Sequence, residues 1–157
     1  TNLLLNLGGN MRGAGQGAPG RAWRVGVRHP FQREQLVGVI TLPDGYAVAT
    51  SGHYEKFVSI DGQPYAHIRD PRTGMPVQGM AGVTVLSPRA VMADALSTAL
   101  FVAGMNQAET ILERVPDAEA LLIPDREPVE IHLTAGLVRH FKPLLAYEDA
   151  VRMMPRE

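Results

Sequence analysis

Three stretches of the chain combine residue types that can meet a phosphate, a metal ion or a proton. The first is Asn6-Leu7-Gly8-Gly9-Asn10, at the end of an apolar β-like run. Paired glycines there either expose backbone N–H groups to a phosphate or ring, or simply make a turn. No helix follows them, so the pattern is not that of a phosphate-binding P-loop. The second runs from Ala49-Thr50-Ser51-Gly52-His53-Tyr54 to Tyr65-Ala66-His67-Ile68-Arg69-Asp70-Pro71-Arg72-Thr73-Gly74. It gathers a hydroxyl, histidines, a carboxylate and arginines around one hairpin. His67 alternates with Tyr65 and Arg69, so on a strand it shares their face and can present an imidazole as base, phosphate donor or ligand, or serve as a structural histidine. The third is Ala93-Asp94-Ala95-Leu96-Ser97-Thr98-Ala99, where Asp94 and Thr98 stand four apart and share one face of a helix. A carboxylate and a hydroxyl suit a hard cation such as Mg²⁺. The alternative is local: an Asp favoured by the helix dipole and a Thr bonding back to its own turn.

The elements that must carry these residues follow from pattern and punctuation. Strand character covers Thr1 to Leu7, Trp23 to Val27, Leu36 to Leu42 and Tyr46 to Thr50. The segment from Gly8 to Gly20 reads as a long loop or wide hairpin connection. Pro43-Asp44-Gly45 suits a tight turn and suggests a β-meander. Asp61-Gly62, between two alternating runs, predicts a two-residue hairpin from Glu55 to Ile68. Gly82 to Ser87 reads as a buried strand. Helical spacing of Val91, Ala95, Leu96, Ala99, Leu100 and Val102 predicts a helix capped by Gly104, and a second helix covers Asn106 to Val115. Strands are expected again over Ala118 to Ile123, Val129 to Leu133 and Leu137 to Lys142, with residues 146–157 as a polar, poorly ordered tail. Runs of strands, then helices, then strands indicate an α+β fold with an antiparallel or mixed sheet and two consecutive helices.

Composition narrows the chemistry. The 157 residues, 45% hydrophobic, fit one domain with a real core. A formal net charge of -1 gives no field directed at nucleic acid or an anionic membrane. With no cysteine there is no disulfide, thiolate zinc site, iron–sulfur cluster or Cys nucleophile. His29, His53, His132 and His140 lack paired ligand spacing, which argues against zinc. The longest apolar stretch, Ala95 to Met105, is broken by Ser97, Thr98 and Gly104 and falls short of the ~20 residues of a transmembrane helix. The sequence reads as that of a soluble protein.

Taken in order, NLGGN, ATSGHYE, HIRDPRTGMPV and ADALSTALFVAG resemble the ApbE family, the FAD:protein FMN transferases first described as thiamine-biosynthesis lipoproteins. The resemblance runs from about Asn2 to about Ile123, and residues 1–145 are read as the C-terminal portion of such a domain, with an ApbE-like (T-fold-like) sheet. It implies an enzyme that uses Mg²⁺ to transfer FMN from FAD onto a Thr or Ser hydroxyl of a target flavoprotein, releasing AMP. By the same resemblance Asp94 and Thr98 match the metal-binding carboxylate and hydroxyl, with Asp94 catalytic through the metal, which would bridge the pyrophosphate of FAD. His67 matches the second histidine of the family's H-H-I-x-D-P-x-T-G stretch, as proton acceptor or phosphate clamp, while Ala66 replaces the first. Gly8, Gly9, Ser51, Gly52, His67, Asp70, Thr73 and Gly74 match positions that shape the FAD pocket. Asn10 stands where many members carry Asp.

Family members are longer, and the resemblance is to their C-terminal half; the K-G-x-A-type stretch that completes the metal site lies in the other half, which becomes an expected partner. A bacterial envelope location on the periplasmic side is the family habit. Three rival readings stay open. With water replacing the acceptor, the same site is an FAD pyrophosphatase; without chemistry, it is a flavin-binding module; and a half-domain with a free edge at Asn2 to Leu7 functions only when paired.

Overall fold

The computed structural model describes the chain apart from residues 33, 54–56, 61–62, 67 and 155–157; the side chains of residues 57–60 and 63–66 also lie outside the description. His67 and the Asp61-Gly62 turn therefore fall outside it.

Twelve strands and two α-helices form a mixed α+β fold among the described residues. The central sheet has seven strands in the order β1 (Leu3–Leu7), β2 (Asn10–Ala14), β5 (Ala47–Gly52), β8 (Met80–Ser87), β9 (Glu119–Pro124), β10 (Ile131–Leu133) and β12 (Val151–Met153). Its pairs are antiparallel except β10 with β12, which run parallel. A second sheet orders β11 (Phe141–Pro143), β4 (Leu36–Leu42) and β3 (Trp23–Arg28). A separate hairpin pairs β6 (Phe57–Ile60) with β7 (Gln63–Ala66), Ile60 standing opposite Gln63.

Alternation along the strands divides the apolar residues between two cores. Ala47, Ala49, Val83, Val85, Ala120 and Leu122 face helices α1 (Ala90–Ala103) and α2 (Met105–Glu113), meeting Ala93, Leu96, Leu100, Phe101, Ala108 and Leu112. Val48, Leu86, Leu121, Ile123, Ile131 and Leu133 face the second sheet, meeting Val25, Val27, Val37, Ile40, Leu42 and Phe141. The result is three layers: helices, central sheet, small sheet. Gly38 is required by this packing, because a Cβ there would lie 2.3 Å from the ring of Phe141. The alternation of β8 carries one irregularity: Met80 pairs with Pro124 and Gly82 with Ile123, so Ala81 is the extra residue of a bulge. Met80 and Val83 thus both face the helices although they are three residues apart.

The structure corrects several expectations. The Gly8–Gly20 stretch is not a long loop throughout: Leu7 pairs with Asn10, and Gly8 (φ 63°) and Gly9 (φ 99°) form a two-residue turn of type I′ leading straight into β2. The Pro43-Asp44-Gly45 turn is present, closed by the Tyr46 N–H donating to the Pro43 carbonyl at 3.1 Å. It makes no meander, however, because β4 pairs with β3 and β11 while β5 pairs with β2 and β8. The turn passes the chain from one sheet to the other. Leu137 belongs to a 3₁₀ turn (Ala135–Leu137), and the strand begins at Phe141. Residues 145–154 are no loose tail: a 3₁₀ helix (Leu145–Ala150) leads into β12, whose backbone completes the sheet edge, and Met154 is buried in the helix-side core. No helix among the described residues is long and apolar enough to cross a membrane.

Candidate functional site

The site forms where β1–β2, β5 and α1 meet. Along β5 the helix-facing positions run Ala47, Ala49, Ser51, so the interface turns from apolar to polar toward the strand's end. Ser51 is answered from α1 by two hydroxyls: its Oγ lies 2.9 Å from Ser97 Oγ and 3.0 Å from Thr98 Oγ1. Ser97 also donates to the Asp94 carbonyl at 2.9 Å. Ser97 is buried, whereas Asp94 and Thr98, on the adjoining face, are exposed. The helix ends where Gly104 (φ 70°) donates its N–H back to the Leu100 carbonyl, and this positive φ, natural to glycine, lets α2 follow at once.

Gly8, Asn10, Ser51, Gly52, Arg69, Asp94 and Thr98 line one open cleft of about 450 Å³, together with Thr50, Ile68 and Val102. Asn10 reaches across it, its Nδ2 donating to Asp94 Oδ1 at 2.9 Å. Gly9 sits in the same turn, its N–H held by Asn6 Oδ1 at 3.0 Å. Asp70 and Thr73 line a second, neighbouring cleft of about 670 Å³ that shares Val102 with the first. Its wall is the turn after Arg69: the Gly74 N–H donates to the Asp70 carbonyl at 2.7 Å, and Thr73 Oγ1 accepts the Met75 N–H at 3.2 Å. Arg72 grips Asp70 in bidentate fashion, Nε to Oδ1 at 2.9 Å and Nη2 to Oδ2 at 2.7 Å. These hydrogen bonds from the Arg72 side chain and backbone hold the Asp70 carboxyl below the usual carboxylate range. Arg69 spans the two clefts, lining the first and donating from Nη1 to the Gly74 carbonyl at 3.0 Å.

Of the residues singled out in the sequence, Gly8, Ser51, Gly52, Asp94 and Thr98 thus converge on one cleft, Gly9 stands in its turn, and Asp70 and Thr73 line the next, with Gly74 closing their loop. His67 lies outside the described residues. Asn10, Ser97 and Arg69 were not assigned to the site by the sequence reading. Ser97 was legible in principle, as a polar residue on the buried stripe of an otherwise apolar helix. The Asn10 contact spans 84 residues and no local pattern announces it.

Asp94 Oδ2 accepts no hydrogen bond among the described residues, and the Thr98 hydroxyl oxygen opens to the same cleft. Two hard oxygen donors one helical turn apart fit Mg²⁺, which takes few protein ligands and fills its octahedron with water and phosphate oxygens. No group of three His, Cys, Asp or Glu residues placed to hold a metal ion occurs among the described residues.

Comparison with known proteins shows the family of the chain. The family model "ApbE family" matches residues 1–122. The chain is 34% identical over 125 residues to the FAD:protein FMN transferase of Salmonella typhimurium, covering 79% of this chain and 36% of that protein. Its fold is similar to the crystal structure of the ApbE protein of Thermotoga maritima, with a TM-score of 0.69 and 32% identity over 96% of this chain and 45% of that one. The flavin transferase ApbE of Vibrio cholerae gives a TM-score of 0.73 and 30% identity over 88% of this chain and 44% of that one. The chain spans about a third of the length of the curated relative (36%) and under half of the solved structures (45% and 44%). With a family match over 122 residues and a shared fold, the chain belongs to the ApbE family.

Proposed function

We propose that this chain carries the metal and phosphate side of an FAD:protein FMN transferase, which moves FMN from FAD to a Thr or Ser hydroxyl of a target flavoprotein and releases AMP. The observation that carries the reading is the convergence of Asp94, Thr98, the Gly8-Gly9 turn and Arg69 on one cleft, within a chain similar to named FAD:protein FMN transferases. Mg²⁺, held by Asp94 and Thr98, would neutralise pyrophosphate charge as it does in phosphoryl transfer generally. Arg69 offers a cation to a phosphate oxygen while its bond to Gly74 keeps the guanidinium in place. Ser51 holds the Thr98 hydroxyl and is itself held by Ser97, while Thr98 Oγ1 also donates back to the Asp94 carbonyl at 3.5 Å. The acceptor oxygen forms a bond to the FMN-side phosphorus, the bond to the AMP phosphate breaks, and AMP leaves with the electron pair. His67 is assigned the acceptor's proton or a phosphate oxygen. The remaining parts of the site, and an envelope location on the periplasmic side, belong to this proposal through the family.

The test is intact-mass spectrometry of an acceptor flavoprotein domain incubated with this chain, FAD and Mg²⁺, alone and with the N-terminal portion that longer relatives carry. The expected result is an EDTA-sensitive gain of FMN less water, abolished when the acceptor Thr is replaced by Val. A gain insensitive to EDTA, or none in either arrangement, overturns the reading. Because Asp94 and Thr98 are exposed, water can also reach this cleft. AMP and FMN appearing without acceptor would mark the site as an FAD pyrophosphatase instead.

A further inference from the structure

Among the described residues, one side-chain hydrogen bond ties the β1–β2 hairpin to α1, that from Asn10 to Asp94, and it joins a neutral amide to the carboxylate assigned to the metal. Both partners line the cleft, and Asn10 is half-buried at the first position of β2. Its place is set by pairing: it stands opposite Leu7 across a two-residue turn whose Gly9 N–H is itself bonded to Asn6. A donor 2.9 Å from Oδ1 orients the carboxylate and leaves Oδ2 without a hydrogen-bond partner among the described residues. The amide adds no charge. A carboxylate at residue 10 would instead place two negative groups within hydrogen-bonding distance, a far stronger lure for a dication.

Resting on the metal reading above, we propose that Asn10 is a positioning residue that sets the cation affinity of the site: it orients Asp94 for one ligand bond and holds the bare site to a single negative charge. The site is thereby kept weak for a free ion and depends on phosphate oxygens to complete it.

Mn²⁺ binding, followed by the electron paramagnetic resonance of the free ion, tests this on the whole chain without catalysis. Wild type, N10A, N10D and D94N are compared, each first shown by circular dichroism to keep its melting temperature. Removing the orienting amide in N10A is expected to weaken Mn²⁺ binding about tenfold, the usual scale for a group that orients a metal ligand. N10D is expected to bind several-fold more tightly than wild type, and D94N to lose binding. The opposite signs of N10A and N10D distinguish charge-setting from a merely structural role, under which both variants weaken. N10A and N10D both within twofold of wild type, or both weaker, with D94N still deficient, overturns the role of Asn10 alone. Equal binding by wild type and D94N overturns the metal reading itself and this inference with it.

Discussion

The central sheet has two faces built by the same strands, and only one of them carries candidate chemistry. On the face toward β3, β4 and β11, Leu121 and Ile123 of β9 and Ile131 and Leu133 of β10 pack with the second sheet into an aliphatic core. On the face toward α1, the same alternation begins aliphatic and ends in Ser51, Ser97 and Thr98, with Asp94 at the rim. The small side chains of Ala47, Ala49 and Ala93 belong to the core where α1 and β5 meet, so hydroxyl groups at the strand's end come within hydrogen-bonding distance of the helix. A fold places a polar site at little cost where two packed elements are already held by an apolar contact a few residues away.

Substitutions on the two faces should therefore separate activity from stability. The largest effect is expected from D94N: FMN transfer, read by the mass of the acceptor, falls about 10²-fold or more, the scale of losing a group that meets a transferring phosphoryl. Its urea midpoint should hardly move, because the side chain is exposed. A transfer rate near wild type would sever the helix-side rim from the chemistry. In the reverse direction, Leu121→Ala on the sealed face should cost about 2–5 kcal/mol in urea unfolding while leaving the kinetics of the folded fraction unchanged; Leu121 is fully buried (0% exposed). Ser97→Ala should cost about 1–3 kcal/mol, since Ser51 loses a buried partner. The double variant S51A/S97A should cost less than the sum of its singles, which a double-mutant cycle would detect. Additive losses would show that the two hydroxyls do not form one unit.

The smallest effect concerns pH on the sealed side. His29 is buried, and its Nδ1 accepts the N–H groups of Phe31 and Gln32 at 3.1 and 3.0 Å. Burial lowers its pKa from 6.5, with Glu127 opposing in part. The unfolded chain therefore takes up the proton first as pH falls, and stability declines below about pH 6.5 while remaining level above it. Urea midpoints between pH 7.5 and 5.5 should fall in wild type and fall less in H29N, whose amide oxygen can still accept a backbone N–H; the remainder belongs to His140, which burial also lowers. An unchanged slope in H29N would remove His29 from this dependence.

Much of the fold was legible because its signals are local. Gly-Gly and Pro-Asp-Gly mark turns by backbone chemistry, and Gly104 marks the end of α1; of the spacing read along α1, Leu96 and Leu100 are buried while Val91, Ala95 and Ala99 are exposed. What misled was partnership. Leu36–Leu42 and Ala47–Gly52 look like consecutive members of one sheet, yet the choice of neighbour is made by Phe141 and Met11, far away in the chain. The last strand, Val151–Met153, is short and carries Arg152, so nothing local distinguishes it from a frayed end; its place is set by pairing with Ile131–Leu133. The same holds for the site. Asp94 and Thr98 were legible as an i, i+4 pair, and the family motifs gave them meaning. Asn10 and Arg69 acquire theirs only when hairpin, helix and loop are brought together.

The extra residue in β8 bears on how this strand tolerates changes in length. Deleting Ala81 would leave Met80 and Val83 on the helix side and Gly82 between them, a regular alternation. Deleting Thr84 would send the following positions to the wrong layer, exchanging Val85 and Leu86 between the two cores. The strand thus has one place where its length can change by a single residue, and it lies beside the carbonyl of Ala81 that accepts the His53 N–H, at the end of β8 away from Leu86.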